Sequence, residues 1–359
     1  MPSRIIGHLD MDAFFAAIEE RNNPQFSGMP IVVGSDPREG RGRGVVSTAN
    51  YKAREYGIHS AMAITKAWRL SQYALQQGKP AAVFLPGSFQ TYSRISKSIM
   101  EVIKQHTPTM QQRSVDEAYF DLSNHRSLLT AENTAKQIKQ AIYEKEQLTC
   151  SVGIGPNKLV AKIGSDMNKP DGLVIITEAE AQARLAPLSI RAIPGVGPKT
   201  QLLLARCDIR TVADAQQYGA EELESLLGKW GSDLYNKVRG IDASPLYEYS
   251  RAKSISEQIT LREDTLEASI LIPQMFSICD YLIERLHEDG FKSFRTLGIT
   301  ARFSNFTTRS RQTTLAQPTA DAATLRTRTL QLLLPFFDSR ENPQHELLRL
   351  VGVKIEKLK

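Results

Sequence analysis

In the run Arg113-Ser114-Val115-Asp116-Glu117-Ala118-Tyr119-Phe120-Asp121-Leu122-Ser123, polar and apolar residues alternate as on a half-buried strand, and two acids stand side by side in its middle. Neighbours on a strand point to opposite faces, so one carboxylate faces the interior unless the backbone bends there. A bare carboxylate in a core is costly, and that cost constrains the fold. It is tolerable where the strand abuts a second acidic strand end and the acids share divalent cations. The short apolar run Ile5-Ile6-Gly7-His8-Leu9 is such a strand, and it ends at Asp10. Alone, Asp10 reads as turn punctuation more readily than as a functional acid. Together with Asp116 and Glu117 it makes an oxygen set suited to Mg²⁺, which takes few carboxylates, several waters and substrate phosphates. Two such ions would activate an attacking hydroxyl, stabilise a leaving oxygen and bind a triphosphate.

The other elements follow from local pattern. A helix over 13–21, with Asp12 as its N-cap, succeeds the first strand. A strand at Pro30-Ile31-Val32-Val33-Gly34 runs into a Gly/Arg-rich turn at 40–44, followed by Val45 to Thr48 and a helix over 49–56. Helices over 93–106, 130–146 and 158–167 and a strand over 149–155 come next. This order lacks regular crossovers and favours an α+β layer. Near Ala192 the text changes to short helices and Gly turns, reaching Val238. Residues 240–255 have no periodicity and read as a tether. Beyond it lie helices near 266–289 and 319–337 and strands near 295–303, 309–315 and 348–356.

A triphosphate needs positive donors. On the helix over 49–56, Tyr51 and Arg54 lie three apart on one face, with Thr48 one turn earlier; they form a phosphate comb or an ordinary surface stripe. Lys169, past a helix end in Asp166-Met167-Asn168-Lys169-Pro170, is a further donor, or a last-turn lysine serving the helix dipole. Phe14 and Phe15 open a helix, as core aromatics often do. A ring five positions past Asp10 would also lie beside the sugar of a metal-held nucleotide and clash with a 2′-hydroxyl. In Ile193-Pro194-Gly195-Val196-Gly197-Pro198-Lys199, two glycines between short helices let backbone N–H groups converge on an anion such as a DNA phosphate, as in helix-hairpin-helix modules.

Composition narrows the class. The 359 residues, 41% hydrophobic and 23% charged, exclude disorder and coiled coil and suggest several domains. Three scattered cysteines, Cys150, Cys207 and Cys279, support neither a disulfide framework nor a zinc site. No signal peptide or membrane span is legible, so the expectation is a cytoplasmic protein without a membrane partner. Of the formal net charge of +6, the clearest excess lies at 292–328, where Lys292, Arg295, Arg302, Arg309, Arg311, Arg326 and Arg328 face one acid, Asp321. Arginines interleaved with Ser and Thr over 302–314 suit phosphate contacts, which makes Arg302, Arg309 and Arg311 candidate DNA ligands.

Five runs in order, LDMDAFFAAIEE, VVSTANYKAREYGIHSAM, SVDEAYFDLS, SVGIGPNKLVAKIGSDMNKPDG and IPGVGPKT, resemble the Y family of translesion DNA polymerases, DNA polymerase IV branch, over essentially the whole chain. The resemblance implies a multi-domain α+β right hand. Palm and fingers occupy 1–190, with fingers about 20–80. A helix-hairpin-helix thumb occupies 191–240, a tether 241–255, and a C-terminal α+β little finger 256–359. It places metal ligands at Asp10, Asp116, Glu117 and the Met11 main-chain carbonyl, with Glu117 also the catalytic acid. It puts nucleotide contacts at Phe14, Phe15, Thr48, Tyr51, Arg54 and Lys169, a sugar steric gate at Phe15, and DNA contacts at Gly195, Gly197 and Lys199. It further implies two Mg²⁺, a dNTP, primer-template DNA, a monomer, and low-fidelity synthesis without proofreading. The final residues, Val351 to Lys359, lack the short Gln-Leu-rich peptide with which this branch usually docks on a sliding clamp, so the clamp stays an open partner. The competing classes are a non-catalytic DNA-binding protein, against which the intact acid set argues, and a two-metal nuclease, which has no use for a phosphate comb or a gate.

Overall fold

The computed structural model describes residues 4–125, 127–247 and 251–359, in two compact units that divide at Tyr249 and Ser250. The N-terminal unit opens with β1 (Ile6–Met11) and α1 (Phe14–Asn22). Then come β2 (Ile31–Gly34), β3 (Val46–Ala49), the single turn α2 (Tyr51–Arg54), α3 (Ile64–Gln76) and β4 (Val83–Leu85). α4 (Phe89–His106), β5 (Met110–Gln112), β6 (Glu117–Asp121), α5 (Leu128–Glu146), β7 (Cys150–Gly155), α6 (Lys158–Met167), β8 (Leu173–Ile175) and α7 (Glu178–Leu185) follow. Four short helices end the unit: α8 (Pro198–Ala205), α9 (Val212–Gln216), α10 (Ala220–Leu227) and α11 (Lys229–Val238). The C-terminal unit contains β9 (Ser254–Thr265), α12 (Ala268–Glu288), β10 (Phe294–Phe303), β11 (Thr308–Thr319), α13 (Ala322–Leu333) and β12 (Leu348–Glu356). The mixed α+β layering expected from the order of elements is what forms.

The sheet that matters most has the order β5-β6-β1-β7-β8, with β1 at its centre between antiparallel β6 and β7. All six residues of β1 are buried. Ile18 of α1, Ile95 and Ile99 of α4, and Ile138 and Ile142 of α5 pack with Leu9, Phe120 and Val152 in one apolar cluster. α6 comes unusually close to β1 and β7. Gly153 permits this, because a Cβ there would lie 2.0 Å from the Ala161 carbonyl oxygen. A smaller sheet, β3-β2-β4, carries α2 and α3, while α8 to α11 enclose a separate cluster that includes Ile193, Val196, Leu204 and Leu234. In the C-terminal unit, α12 and α13 cover one face of the sheet β11-β10-β12-β9.

Several boundaries differ from the sequence reading. Asp12 is not a helix cap: Ala13, at φ 48°, holds the N-cap position with no side-chain cap, and Asp12 is drawn inward by other donors. The strand expected over 113–123 begins only at Glu117, since 113–116 form a tight turn organised by the Ser114 hydroxyl, which accepts from Asp116 N and Glu117 N. The helix expected over 49–56 shrinks to one turn capped by Asn50, whose Oδ1 accepts from Ala53 N. Thr48 therefore sits on β3 opposite Val33 rather than on the helix. Of the tether expected over 241–255, residues 248–250 lie outside the described residues, and Ser254 and Ile255 already belong to β9, a strand the pattern did not announce.

The approach of α6 leaves no room for a side chain at position 153. Gly153→Ala is expected to cost roughly 1–3 kcal/mol or more by overpacking. Urea unfolding followed by tryptophan fluorescence reads this directly, because both tryptophans, Trp68 and Trp230, belong to that unit.

Candidate active site

Antiparallel pairing sets Asp10 opposite Glu117. Directly paired residues share a face, so the two carboxylates are neighbours in the middle of a sheet. Asp10 is 8% exposed, and each acid has a lysine: Lys169 Nζ lies 2.6 Å from Asp10 Oδ1, and Lys162 Nζ donates to Glu117 Oε1 at 2.6 Å. Lys169 also reaches Asp166 at 2.9 Å. Burial pushes the Asp10 carboxyl up to about 7, against the pull of Lys169. Burial acts upward on Glu117 too, but hydrogen bonds from Asp10 and Lys162 outweigh it and hold Glu117 well below the usual carboxylate range. Within the pair, burial favours the neutral form of Asp10, while Glu117 is held as the ionised partner.

Asp116 is not in this cluster. Its carboxylate accepts from the Ser114 hydroxyl at 2.5 Å, while its carbonyl accepts from Met11 N at 3.0 Å, pinning the turn to the end of β1. The sequence reading gathers three acids; the structure pairs two and leaves the third at the adjacent turn. Among the described residues, no three His, Cys, Asp or Glu side chains converge as a ready metal cage.

Beneath the pair, His8 is fully buried, with Nδ1 2.7 Å from Ser165 Oγ and its ring against Tyr119. Ser165 donates its hydroxyl proton to the Lys162 carbonyl, so His8 Nδ1 carries the hydrogen and Nε2 is left an unpartnered acceptor. Burial, followed by the charge of Lys162, lowers His8 to about 3, and the imidazole stays neutral.

The other candidates are spread over several elements of the N-terminal unit. Phe15 stacks on Tyr92, with ring centroids 4.2 Å apart and planes at 12°, and the Tyr92 hydroxyl donates to Glu19 at 2.6 Å. Phe14, in contrast, is 2% exposed, and its ring packs in the core. Arg54 lies over the Tyr51 ring at 4.7 Å and donates to the Ala49 carbonyl at 2.9 Å. Tyr51 donates to Asp12 at 3.4 Å, and burial followed by the Asp12 charge pushes its phenol up to about 12. Thr48 is half-buried on the neighbouring strand. Gly195 takes φ +104°, a conformation that favours glycine, beneath the Trp230 ring; Gly197 caps α8, and Lys199 is exposed.

The C-terminal arginines are divided by strand alternation. Arg309 pairs with Ala301 and Arg311 with Ile299, so both lie on the face that carries the core. There Glu341 holds them: Arg311 at 2.6 Å through its carboxylate, and Arg309 at 2.8 Å through its carbonyl. Arg302, opposite Thr308 and Leu350, is on the open face with Thr300, Ser310 and Lys354. The arginine patch expected over 302–314 is therefore not one surface.

Sequence reasoning missed Lys162, Ser151 and Tyr92. Lys162 had a signal: it interrupts the apolar run Leu159-Val160-Ala161 and Ile163-Gly164, where a lone cation calls for a partner.

The impB/mucB/samB family model matches residues 9–166 and its C-terminal domain model residues 252–359, while the DNA polymerase-iota thumb domain model matches 191–242. Among curated relatives, DNA polymerase IV of Methanoculleus marisnigri is 39% identical, with 99% of this chain and 95% of the relative covered. DNA polymerase IV 2 of Methanosarcina mazei is 40% identical over 99% and 93%. Among solved structures, a Y-family DNA polymerase chimera of Dbh aligns with a TM-score of 0.84 at 28% identity, covering 99% of both chains. An insertion ternary complex of Dbh DNA polymerase aligns with a TM-score of 0.68, also at 28% identity and 99% of both. The chain is thus a DNA-directed DNA polymerase. The chain belongs to the Y family of these enzymes, with relatives named DNA polymerase IV.

Because Asp10 titrates at about 7 when folded and near 3.8 when unfolded, its protonation stabilises the fold fully below the lower value and is lost as pH rises through the higher one. Asp10→Asn is expected to raise the melting temperature of the chelator-treated protein at pH 8, by the equivalent of about 2 kcal/mol, and not at pH 4. Calorimetry across that range checks it.

Proposed function

We propose that this polymerase extends a primer on a DNA template by two-metal nucleotidyl transfer, tolerates damaged templates and has no proofreading activity. The observation that carries the reading is the buried Asp10–Glu117 pair, held by lysines, with Phe15 and Tyr51 at its margin. The all-oxygen donor chemistry fits a hard divalent cation. Asp10, Glu117, the Met11 carbonyl and Asp116, once its carboxylate turns from Ser114, would hold two Mg²⁺ ions. Bound there, Mg²⁺ lowers the pKa of the primer 3′-hydroxyl and neutralises charge on the phosphates.

The chain's own residues do the rest. Lys169 leaves Asp10 and, with Tyr51, Arg54 and Thr48, binds the triphosphate of the incoming dNTP. The 3′-hydroxyl oxygen then attacks the α-phosphorus as the bond to pyrophosphate breaks, and positioning with charge neutralisation supplies most of the rate. Phe15, backed by the Tyr92 ring, fills the space a 2′-hydroxyl would need. The loop at Gly195 and Gly197, with Lys199, and the open sheet face bearing Arg302 and Lys354 contact DNA phosphates without reading sequence. The sheet domain is the little finger, the helical segment near 191–240 the thumb, and the β1-centred sheet the palm.

Labelled primer-template with Mg²⁺ and dNTPs should lengthen; shortening or no change would favour the nuclease or the non-catalytic reading. Asp116→Ala should reduce incorporation at least about 10³-fold, as loss of a metal ligand at the reacting centre does. Phe15→Ala should admit ribonucleotides while leaving dNTP incorporation measurable; unchanged discrimination would place the gate elsewhere. In salt titrations of DNA binding, Arg302→Ala should lower the slope of log affinity by about one unit, and Arg309→Ala, tied to Glu341, by less.

A further inference from the structure

We propose that Asp12 is a positioning residue for the triphosphate, joining the Tyr51 hydroxyl to the loop that carries Lys169. This rests on the polymerase reading above and adds to it a residue that touches neither metal nor substrate.

Asp12 is 4% exposed, and both its oxygens are engaged. Oδ1 accepts from the Ser151 hydroxyl at 2.8 Å and from the Tyr51 hydroxyl at 3.4 Å; Oδ2 accepts from Asp171 N at 2.8 Å. Ser151, fully buried on β7, accepts in turn from Gly172 N at 3.2 Å. One carboxylate therefore orders two consecutive amides of the loop after Lys169, the first directly and the second through a serine.

The loop has little slack. A Cβ at Gly172 would lie 2.2 Å from the Asn168 carbonyl oxygen, and Asp171 is held from outside by Lys139 at 2.7 Å. Lys169 enters the site from a base fixed on both sides. The Tyr51 bond is different: at 3.4 Å it is near the limit of a hydrogen bond, so a phosphate oxygen can replace Asp12 as acceptor at little cost. Asp12 thus anchors Lys169 firmly and parks Tyr51 lightly, with two comb members aimed before the nucleotide arrives. Preorganisation of this kind is realised as affinity for the nucleotide.

No other residue of this set can substitute. Asparagine keeps the size and can still accept from Asp171 N, but its amide donates where the carboxylate accepted. The Ser151 and Tyr51 hydroxyls would have to turn and accept, and the negative charge that holds the Tyr51 proton is lost.

Steady-state incorporation of dATP opposite a templating dT, with active sites titrated, tests this. Asp12→Asn is expected to raise the KM for dATP about tenfold with kcat within about threefold, and Ser151→Ala to raise it about threefold, while DNA affinity stays unchanged. With Tyr51→Phe, Asp12→Asn should give less than the product of the single effects, because one contact is removed twice. A purely structural role would lower the active fraction and melting temperature and leave KM alone, and that result overturns the proposal. If Asp12→Asn does not fold, Ser151→Ala decides: an unchanged KM overturns it. Failure of the wild-type protein to incorporate dATP at all would instead overturn the polymerase reading and this inference with it.

Discussion

Two carboxylates face each other across the central strands of the N-terminal sheet, and the surrounding structure answers their charge. Asp10 and Glu117 are brought together by backbone register, not by attraction, since like charges at a paired position repel. The strands can pair there because Lys169 and Lys162 each bring a cation to one of the acids. A buried site of this kind is stable as it stands, and a metal ion entering it would replace positive charge that Lys169 supplies to Asp10. The hard oxygen donors are the physical basis for reading it as a cation site.

The lysines are placed by different means, and this explains much of the architecture. Lys162 rides on α6, which can lie close enough to the sheet only because position 153 lacks a side chain. Lys169 sits in the loop after α6, and that loop is tied to β1 and β7 through Asp12 and Ser151. Helix packing brings the lysine that faces Glu117, and a hydrogen-bonded loop brings the lysine that faces Asp10.

Much of this was legible in the text. Asp10 announced itself as an acid ending an apolar strand, and the bend at Asp116–Glu117 was required by the cost of burying both acids. The Gly195–Gly197 hairpin and the aromatic pair at 14–15 were also visible as local patterns. The roles of Asp12, Phe14 and the arginines of β11 were read wrongly or incompletely, for one shared reason. Each depended on which face of an element the rest of the chain would cover. Asp12 looked like a cap because the donors that claim it, Ser151 and Asp171, lie about 140 and 160 residues away. Arg309 and Arg311 looked like part of one surface because the alternation of β11 acquires meaning only when β10 pairs with it.

The sequence by itself determined the chemical inventory and its order along the chain: carboxylates at strand ends, cations near them in the text, an aromatic pair, glycine turns and a basic C-terminal segment. These follow from residue type and from interactions within a few positions. Tertiary structure decided which members of that inventory meet. The Asp10–Glu117 contact spans a strand pairing, Lys162 arrives by helix packing, and Phe15 is braced by a Tyr92 that nothing near it in sequence would suggest. Long-range contacts are set by burial and register summed over whole elements, and no local window contains that sum.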